Sequence, residues 1–208
     1  MNYSYIYWFF EKGFSKEFCE KVIKLAKRKK LNRGSIVDLQ GKKRLSQKDK
    51  KDLASYRDSN IVWMDEVWIY KAIENFMKSA NKNAGWNFQV DSAQSIQFTI
   101  YKKGQYYNWH ADSTGKPMNA PNDIAHGKIR KLSCSILLSD PKDYEGGELQ
   151  FITRNHKDAE KNIIKTLNET KNQGAMVFFP SFTVHRVKPV TKGTRYSLVV
   201  WWLGEPYK

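Results

Sequence analysis

Cysteine is scarce in this chain, with two in 208 residues, Cys19 and Cys134, both inside apolar stretches. That excludes a disulfide scaffold and points to buried free thiols, as a reducing compartment would keep them. Long apolar runs are missing too: nothing approaches the ~20 consecutive residues of a membrane span. Tyr3–Phe10 is apolar but short, with neither a basic leader nor a cleavage site, so it is not read as a signal peptide and a cytoplasmic location is expected. Internal repeats and low-complexity segments are absent, which excludes solenoids and disordered tails. Acidic residues are outnumbered, 21 against 36 basic ones, for a formal net charge of +15. The excess is uneven. Residues 21–58 carry 14 Lys/Arg against 4 Asp/Glu, a net of +10. No recognised nucleic-acid-binding motif accompanies it, so a solvated lysine-rich surface is the plain reading and a polyanion contact the alternative.

What is present is enough to fold. With 40% hydrophobic residues and 14% aromatics, one globular domain over 1–208 is expected. Ser15 reads as an N-cap opening a helix to about Lys30, with Phe18, Val22 and Leu25 at helical spacing. Asp65 opens a second helix to about Asn81, carrying the stripe Trp68, Ala72, Ile73 and Phe76. Short strands are expected at Tyr3–Phe10, Ser35–Leu39 and Asn60–Met64.

From Trp86 onward the pattern changes to short strands separated by Gly and Pro turns. They are expected at Gln94–Tyr101, Lys131–Ser139, Gly147–Ile152, Ile163–Leu167, Ala175–Pro180, His185–Pro189 and Thr194–Leu203. The fold class that follows is mainly β with N-terminal helices (α+β), its core a double-stranded β-helix (jelly roll, cupin-like). Residues 1–85 would form a helical buttress and 86–208 the core. Ser113–Lys128, with two Gly and two Pro, is expected to be a lid or substrate-gripping loop, and its His126 a surface residue. Arg154–Asn162, with His156, is expected to be solvent-exposed.

The residues that carry chemistry are few. His110 and Asp112 stand two apart, and on one strand they would point the same way. His185 lies further on, and Arg195 follows it in Gly193-Thr-Arg195-Tyr-Ser197. Two imidazoles and a carboxylate are the donor set that holds non-haem Fe(II) on one face and leaves positions open; four protein ligands would close the site. A chelating 2-oxo acid and dioxygen could take the open positions. If the oxo acid has a second carboxylate, burying it unpaired would be expensive. Arg195 can meet it bidentately. Ser197, on the same strand face, and Tyr101 can add hydroxyl donors. Gly193 is expected to turn the backbone just before the last strand. Taken singly, H-x-D is a common chance match, His185 a core histidine and Arg195 a surface cation. The order and spacing together carry the inference.

The strings also resemble a family. They are Tyr-x-x-Gly-x-x-Tyr-x-x-His-x-Asp at 101–112, Arg-Lys-Leu-Ser at 130–133 and Leu-Ser-Asp-Pro at 138–141. They continue with Tyr-Glu-Gly-Gly-Glu-Leu at 144–149, Phe-Phe-Pro-Ser-Phe-Thr-Val-His at 178–185 and Pro-Val-Thr-Lys-Gly-Thr-Arg-Tyr-Ser-Leu-Val at 189–199. Arg-Asp-Ser-Asn-Ile-Val-Trp at 57–63 and Asn-Ala-Gly-Trp at 83–86 extend the likeness upstream. The chain is similar to the prolyl 4-hydroxylase-type 2-oxoglutarate oxygenases, close to bacterial and phage PKHD-type hydroxylases. The resemblance implies Fe(II) on His110, Asp112 and His185, and 2-oxoglutarate on Arg195 with Tyr101. It also implies O2 as oxidant, ascorbate as reductant, and a peptidyl proline in a protein or peptide partner. The host cytoplasm is the implied location if the chain is phage-encoded.

Tyr107, Trp109 and Trp201 are the candidates for substrate contact: Tyr107 and Trp109 flank the ligands, and whichever faces the mouth could receive a pyrrolidine ring. Nucleic-acid demethylation by the same chemistry is the rival enzymatic reading. AlkB-type enzymes usually place a second arginine six residues after the first, where this chain has Trp201. A cupin-like module that has lost catalysis is the non-enzymatic rival, and the intact ligand set argues against it.

Overall fold

The computed structural model describes residues 5–34, 46, 55–155 and 158–207. Two antiparallel sheets face each other, and two helices lie on the outer face of the larger one. In chain order the elements begin with β1 (Trp8–Phe10), α1 (Lys16–Ala26), β2 (Asn32–Arg33), β3 (Arg57–Asp58), β4 (Asn60–Met64) and α2 (Val67–Asn83). They continue with β5 (Ser92–Ala93), β6 (Ile96–Lys102), β7 (Tyr106–His110), β8 (Ile129–Leu137), β9 (Tyr144–Gly146) and β10 (Leu149–Asn155). Last come β11 (Asp158–Thr166), β12 (Met176–Pro180), β13 (His185–Val187) and β14 (Val190–Gly204). The larger sheet runs β1-β12-β8-β14-β6-β4-β2, with β5 and β9 also paired to β14. The smaller runs β11-β10-β13-β7-β3.

Period-two alternation gives the larger sheet two different faces. Ile96 and Phe98 of β6, Leu132, Cys134 and Ile136 of β8, Phe178 of β12, and Leu198 and Val200 of β14 point outward. There they bury against Cys19, Val22 and Ala26 of α1 and Ile69, Ile73 and Met77 of α2. The intervening residues point at the smaller sheet. Val177 and Phe179 join Phe151, Leu149 and Val187 in a second apolar cluster between the sheets. Gln97, Thr99, Ser133 and Ser197 also face inward, and all are buried. Buried polar residues are costly unless hydrogen-bonded, and here Gln97 donates to Thr99 at 2.9 Å while Ser197 accepts from Arg195 at 3.2 Å.

The helices sit close to their expected places. The Ser15 hydroxyl accepts the Phe18 N–H at 3.2 Å, capping α1. The helix stops at Ala26 rather than near Lys30. Ala26 is its last buried position, and the four consecutive cations Lys27–Lys30 that follow bring no apolar residue to the core. α2 starts at Val67 instead of Asp65; Glu66 occupies the cap position and pairs with Lys29, tying the end of α1 to the start of α2. The strand expected at Ser35–Leu39, and His156, lie outside the described residues.

Three departures matter for the site. Tyr106–His110 is a strand, absent from those expected. β14 begins at Val190 rather than Thr194, bulges between Val190 and Lys192, and passes through Gly193, whose φ of 72° lies inside the strand rather than in a turn before it. Tyr144–Gly146 forms β9 against that bulge. The 113–128 loop is braced on itself: Met118 bridges to His126, Gly127 N–H donates to Met118 O at 3.0 Å, and Ala125 is buried. His126 is exposed, as expected. Among the described residues no helix is long and apolar enough to cross a membrane.

Candidate functional site

β13 and β7 are neighbours in the smaller sheet, and their register places His185 opposite His110. Between the paired positions the strands fall out of step: His185 to Val187 spans two residues on β13, while His110 to Tyr107 spans three on β7. β7 therefore carries a bulge. Strict alternation from His110 would bring Tyr106 and Asn108 to its face. The bulge brings Tyr107 instead, stacked on the His110 ring at 3.5 Å and 13°. The Arg57 guanidinium, from β3, lies 4.4 Å over the other partner of that stack, Tyr107. Arg57, Tyr107 and His110 thus form a pile that sets the plane of the imidazole.

Both histidines are oriented the same way. His110 Nδ1 is 2.7 Å from the carbonyl of Asn108, and His185 Nδ1 is 2.8 Å from the carbonyl of Thr183. A carbonyl only accepts, so Nδ1 carries the proton in each ring and Nε2 presents its lone pair. Burial, and then the neighbouring His185, hold the His110 pKa down at about 3, so this imidazole stays neutral, as a metal ligand must be. Asp112 lies just beyond the end of β7, not within a strand beside His110. It is held there from β8: Ser133 Oγ donates to its Oδ2 at 2.7 Å and Arg130 donates to its backbone carbonyl at 3.3 Å. Burial favours its protonated form, but His185, His110, Arg130 and the Ser133 hydrogen bond together lower its pKa. Asp112 Oδ1 stands 3.7 Å from His110 Nε2, and Oδ2 3.8 Å from His185 Nε2. These gaps are too long for hydrogen bonds. Ligand atoms of the three residues lie within 4.8 Å of one another, the one such grouping among the described residues. Two imidazoles and a carboxylate converging in this way fit a divalent transition metal.

Ser133 carries a prediction. Its hydroxyl touches the carboxylate oxygen facing His185 and also Ser181 Oγ at 2.9 Å. Ser133→Ala should weaken metal affinity by ~10–100-fold, the usual cost of losing a group that orients a ligand, while the fold stays intact. Competition with a chelating dye measures it; unchanged affinity would mean Asp112 is positioned by other groups.

A narrow cleft of about 30 Å³ adjoins the three residues, lined among others by Gln97, Tyr101, Tyr107, Ser197, Val199 and Trp201. Tyr107 therefore faces the cleft. Trp109 does not: it packs on the outer face of the smaller sheet, under the Arg186 guanidinium at 4.4 Å. Trp201 lines the cleft and stacks on Arg130 at 3.9 Å, and its buried Nε1–H has no hydrogen-bond partner among the described residues. Burial raises the pKa of Tyr101 and Tyr107, so both phenols keep their protons and can donate.

Arg195 is 5% exposed and forms no ion pair among the described residues. It donates to Ser197 Oγ at 3.2 Å, which leaves the hydroxyl proton free for another acceptor. Tyr101 is its register partner on β6, its ring 5.8 Å from the guanidinium. Arg195 stands four residues before Val199 on β14, ~13 Å along the strand. That span suits a short dicarboxylate plus the arginine side chain. Gly147 holds the arginine from behind: a Cβ there would sit 2.8 Å from Arg195 Cδ, and its φ is 67°. Gly147→Ala combines that clash with a left-handed backbone costing ~1–2 kcal/mol. Displacement of Arg195 should weaken 2-oxoglutarate binding, since its planar fork is held less well, and leave metal affinity unchanged. Titration calorimetry on the metal-loaded protein checks it; loss of metal binding would show damage beyond Arg195.

Sequence reasoning brought together His110, Asp112, His185, Arg195, Tyr101, Ser197, Tyr107 and Trp201. It missed the roles of Arg57, Ser133, Arg130 and Gly147. All four lie in strings that carried the family likeness.

Comparison with known proteins agrees with this geometry. The family model for the 2OG-Fe(II) oxygenase superfamily matches residues 96–203. A PKHD-type hydroxylase of Pseudoalteromonas atlantica is 35% identical over 107 residues, covering 50% of this chain and 41% of that protein. This chain thus spans less than half the length of the curated relative. Among solved structures, a Pseudomonas putida prolyl-4-hydroxylase superposes with a TM-score of 0.67 at 16% identity, covering 96% of this chain and 93% of that one. A Trichoplax adhaerens prolyl hydroxylase, in complex with a hypoxia inducible factor oxygen degradation domain peptide fragment, gives 0.63 at 17% identity, covering 95% and 83%. At such identities the likeness speaks for the double-stranded β-helix fold alone.

Proposed function

The chain belongs to the 2OG-Fe(II) oxygenase superfamily, and from that premise we propose that it hydroxylates an unactivated C–H bond of a polypeptide, with a prolyl residue as acceptor. 2-Oxoglutarate would be consumed to succinate and CO2. The observation that carries the reading is the convergence of His110, Asp112 and His185 on a cleft also lined by Tyr101 and Ser197, beside a buried arginine with no acid partner among the described residues. Bound Fe(II) would supply the activation of O2 that no side chain can. His110, Asp112 and His185 would hold it, and Arg195, Ser197 and Tyr101 would take the distal carboxylate. Phe179, Val187 and Val199 wall the cleft and limit water.

At the substrate end, Trp201 offers a flat apolar face, and its buried Nε1–H has no partner among the described residues. Trp63, 39% exposed, lies 6.4 Å from it. An aromatic pair with one donor suits a pyrrolidine ring and its adjoining carbonyl. The peptide bound by the Trichoplax relative supports a polypeptide substrate.

The nucleic-acid alternative rested on the basic stretch 21–58. Lys21 and Lys27 lie over Trp68 and Tyr196, residues packed into the core under the helices. That core is on the far side of the larger sheet from the cleft. Lys29 and Arg33 are paired with Glu66 and Asp58. Of the described basic residues in the stretch, Arg57 alone reaches the site, where it lies over Tyr107 at 4.4 Å; Lys21, Lys27, Lys29 and Arg33 lead no nucleobase to the metal.

Succinate release with Fe(II), 2-oxoglutarate and ascorbate should rise with proline-rich peptides, which should gain one oxygen by mass spectrometry. Stimulation by methylated oligonucleotides alone would overturn the substrate reading and leave the iron chemistry standing.

A further inference from the structure

Behind Arg195 lies a second cavity, of about 250 Å³, to which nothing so far assigns a role. It reaches the surface between exposed Pro141, Glu145 and Lys171, and Arg195 lies on its inner wall. The cleft at the metal ligands holds only about 30 Å³, the space of a water or so. Leu149, the first residue of β10, lines both spaces and is the one residue they share. Arg195 itself lines only the larger cavity, whereas its neighbours Tyr101 and Ser197 line the smaller. The guanidinium is thus reached from the surface without passing the metal ligands.

We propose that this cavity is the port through which the dicarboxylate cosubstrate enters and its dicarboxylate product leaves, with Leu149 as the partition it passes. The proposal rests on the cosubstrate reading of Arg195 and goes beyond it by giving the small anion a route separate from the substrate's mouth. Charge permits that route. Of the two acids on the wall, Glu145 is paired with Lys192 at 2.9 Å and Glu148 with Lys188 at 3.4 Å. Lys171 at the rim and Arg195 at the inner wall then form two successive positive stations for an anion. Small residues keep the way open: Gly146 and Gly147 form one wall and Thr170, half-buried, part of another. At the opposite end, Tyr107, Trp201 and Phe179 crowd the metal cleft. A polypeptide docked over that mouth would trap a cosubstrate that had only one way out.

A route and a contact leave different kinetic marks. Narrowing a route slows entry and exit together and leaves affinity alone; removing a contact chiefly speeds exit. The test is anaerobic rapid mixing of the Fe(II)-loaded full chain with 2-oxoglutarate, read by the visible absorption of the iron chelate. Thr170→Trp fills the passage, and both association and dissociation rate constants should fall roughly tenfold, with Kd held within about twofold. Lys171→Glu, at an exposed position that spares the fold, should cut the association rate several-fold at low salt, and the effect should vanish at high salt. Unchanged association rates in both variants would overturn the port and place entry at the metal mouth. Faster dissociation with unchanged association would also overturn it, making the cavity a mere contact surface. If the wild-type chain binds 2-oxoglutarate nowhere, the cosubstrate reading itself fails, an outcome separate from the other two.

Discussion

His185→Ala is expected to abolish 2-oxoglutarate-dependent CO2 release and to strip iron from the protein. His185 is 6% exposed, its Nδ1 proton is committed to the Thr183 carbonyl at 2.8 Å, and Phe179 packs on its ring at 4.8 Å. Nothing nearby can replace its Nε2: among the described residues the donors at this place are His110, Asp112 and His185 alone. Losing a group that merely orients a ligand costs ~10–100-fold in metal affinity, so losing the ligand itself must cost more. The variant should still fold, because the larger core under the helices does not include His185. Iron content by atomic emission, with circular dichroism as the folding control, reads the result. Full turnover in a folded His185→Ala protein would dismiss the metal assignment. Cobalt or zinc should occupy the same donors and inhibit the wild type, since the set selects divalent transition metals as a class and not iron alone.

The donors were legible in the sequence because two His and a carboxylate stand in an order and spacing, with Arg195 after them, that none carries singly. The strands around them were legible from short apolar runs bounded by Gly, Pro and Asp turns, which mark β6, β8, β12 and β14 within a few residues. The bulge in β7 was not. An extra residue leaves the composition of a strand unchanged and only inverts which side chains face inward. Alternation from His110 puts Trp109 on the opposite face, but nothing in the order of residues 106–110 could say that Tyr107 stacks on His110. The Arg57–Tyr107 contact was hidden for another reason. It depends on β3, two residues long, pairing across 50 positions of chain with β7, and two-residue strands carry no periodicity. The same holds for β9, whose pairing with β14 is set by Gly193: a Cβ there would collide with the Asp143 carbonyl, at a φ of 72°.

Arg195→Ala is expected to weaken 2-oxoglutarate binding by a hundredfold or more while iron binding persists. The arginine is buried on β14 with Ser197 as its hydrogen-bond acceptor and with no acid partner among the described residues. A guanidinium kept this way in the chain's interior is costly unless an anion completes it. Removing one partner of a buried charge pair typically costs ~3–5 kcal/mol, which by ~1.4 kcal/mol per tenfold gives a factor of a hundred to several thousand. Arg195→Lys should recover only part of this, because an ammonium cannot offer two parallel N–H donors to one carboxylate. Tyr101→Phe and Ser197→Ala should each lose less, a single hydrogen bond to a charged group being worth ~1.5–3 kcal/mol. The measurement is the Kd of 2-oxoglutarate on the Fe(II)-loaded protein without oxygen, paired with the KM under turnover. A metal-binding Arg195→Ala protein with wild-type 2-oxoglutarate affinity would move the cosubstrate away from β14, and with it the division of this site into a metal end and an anion end.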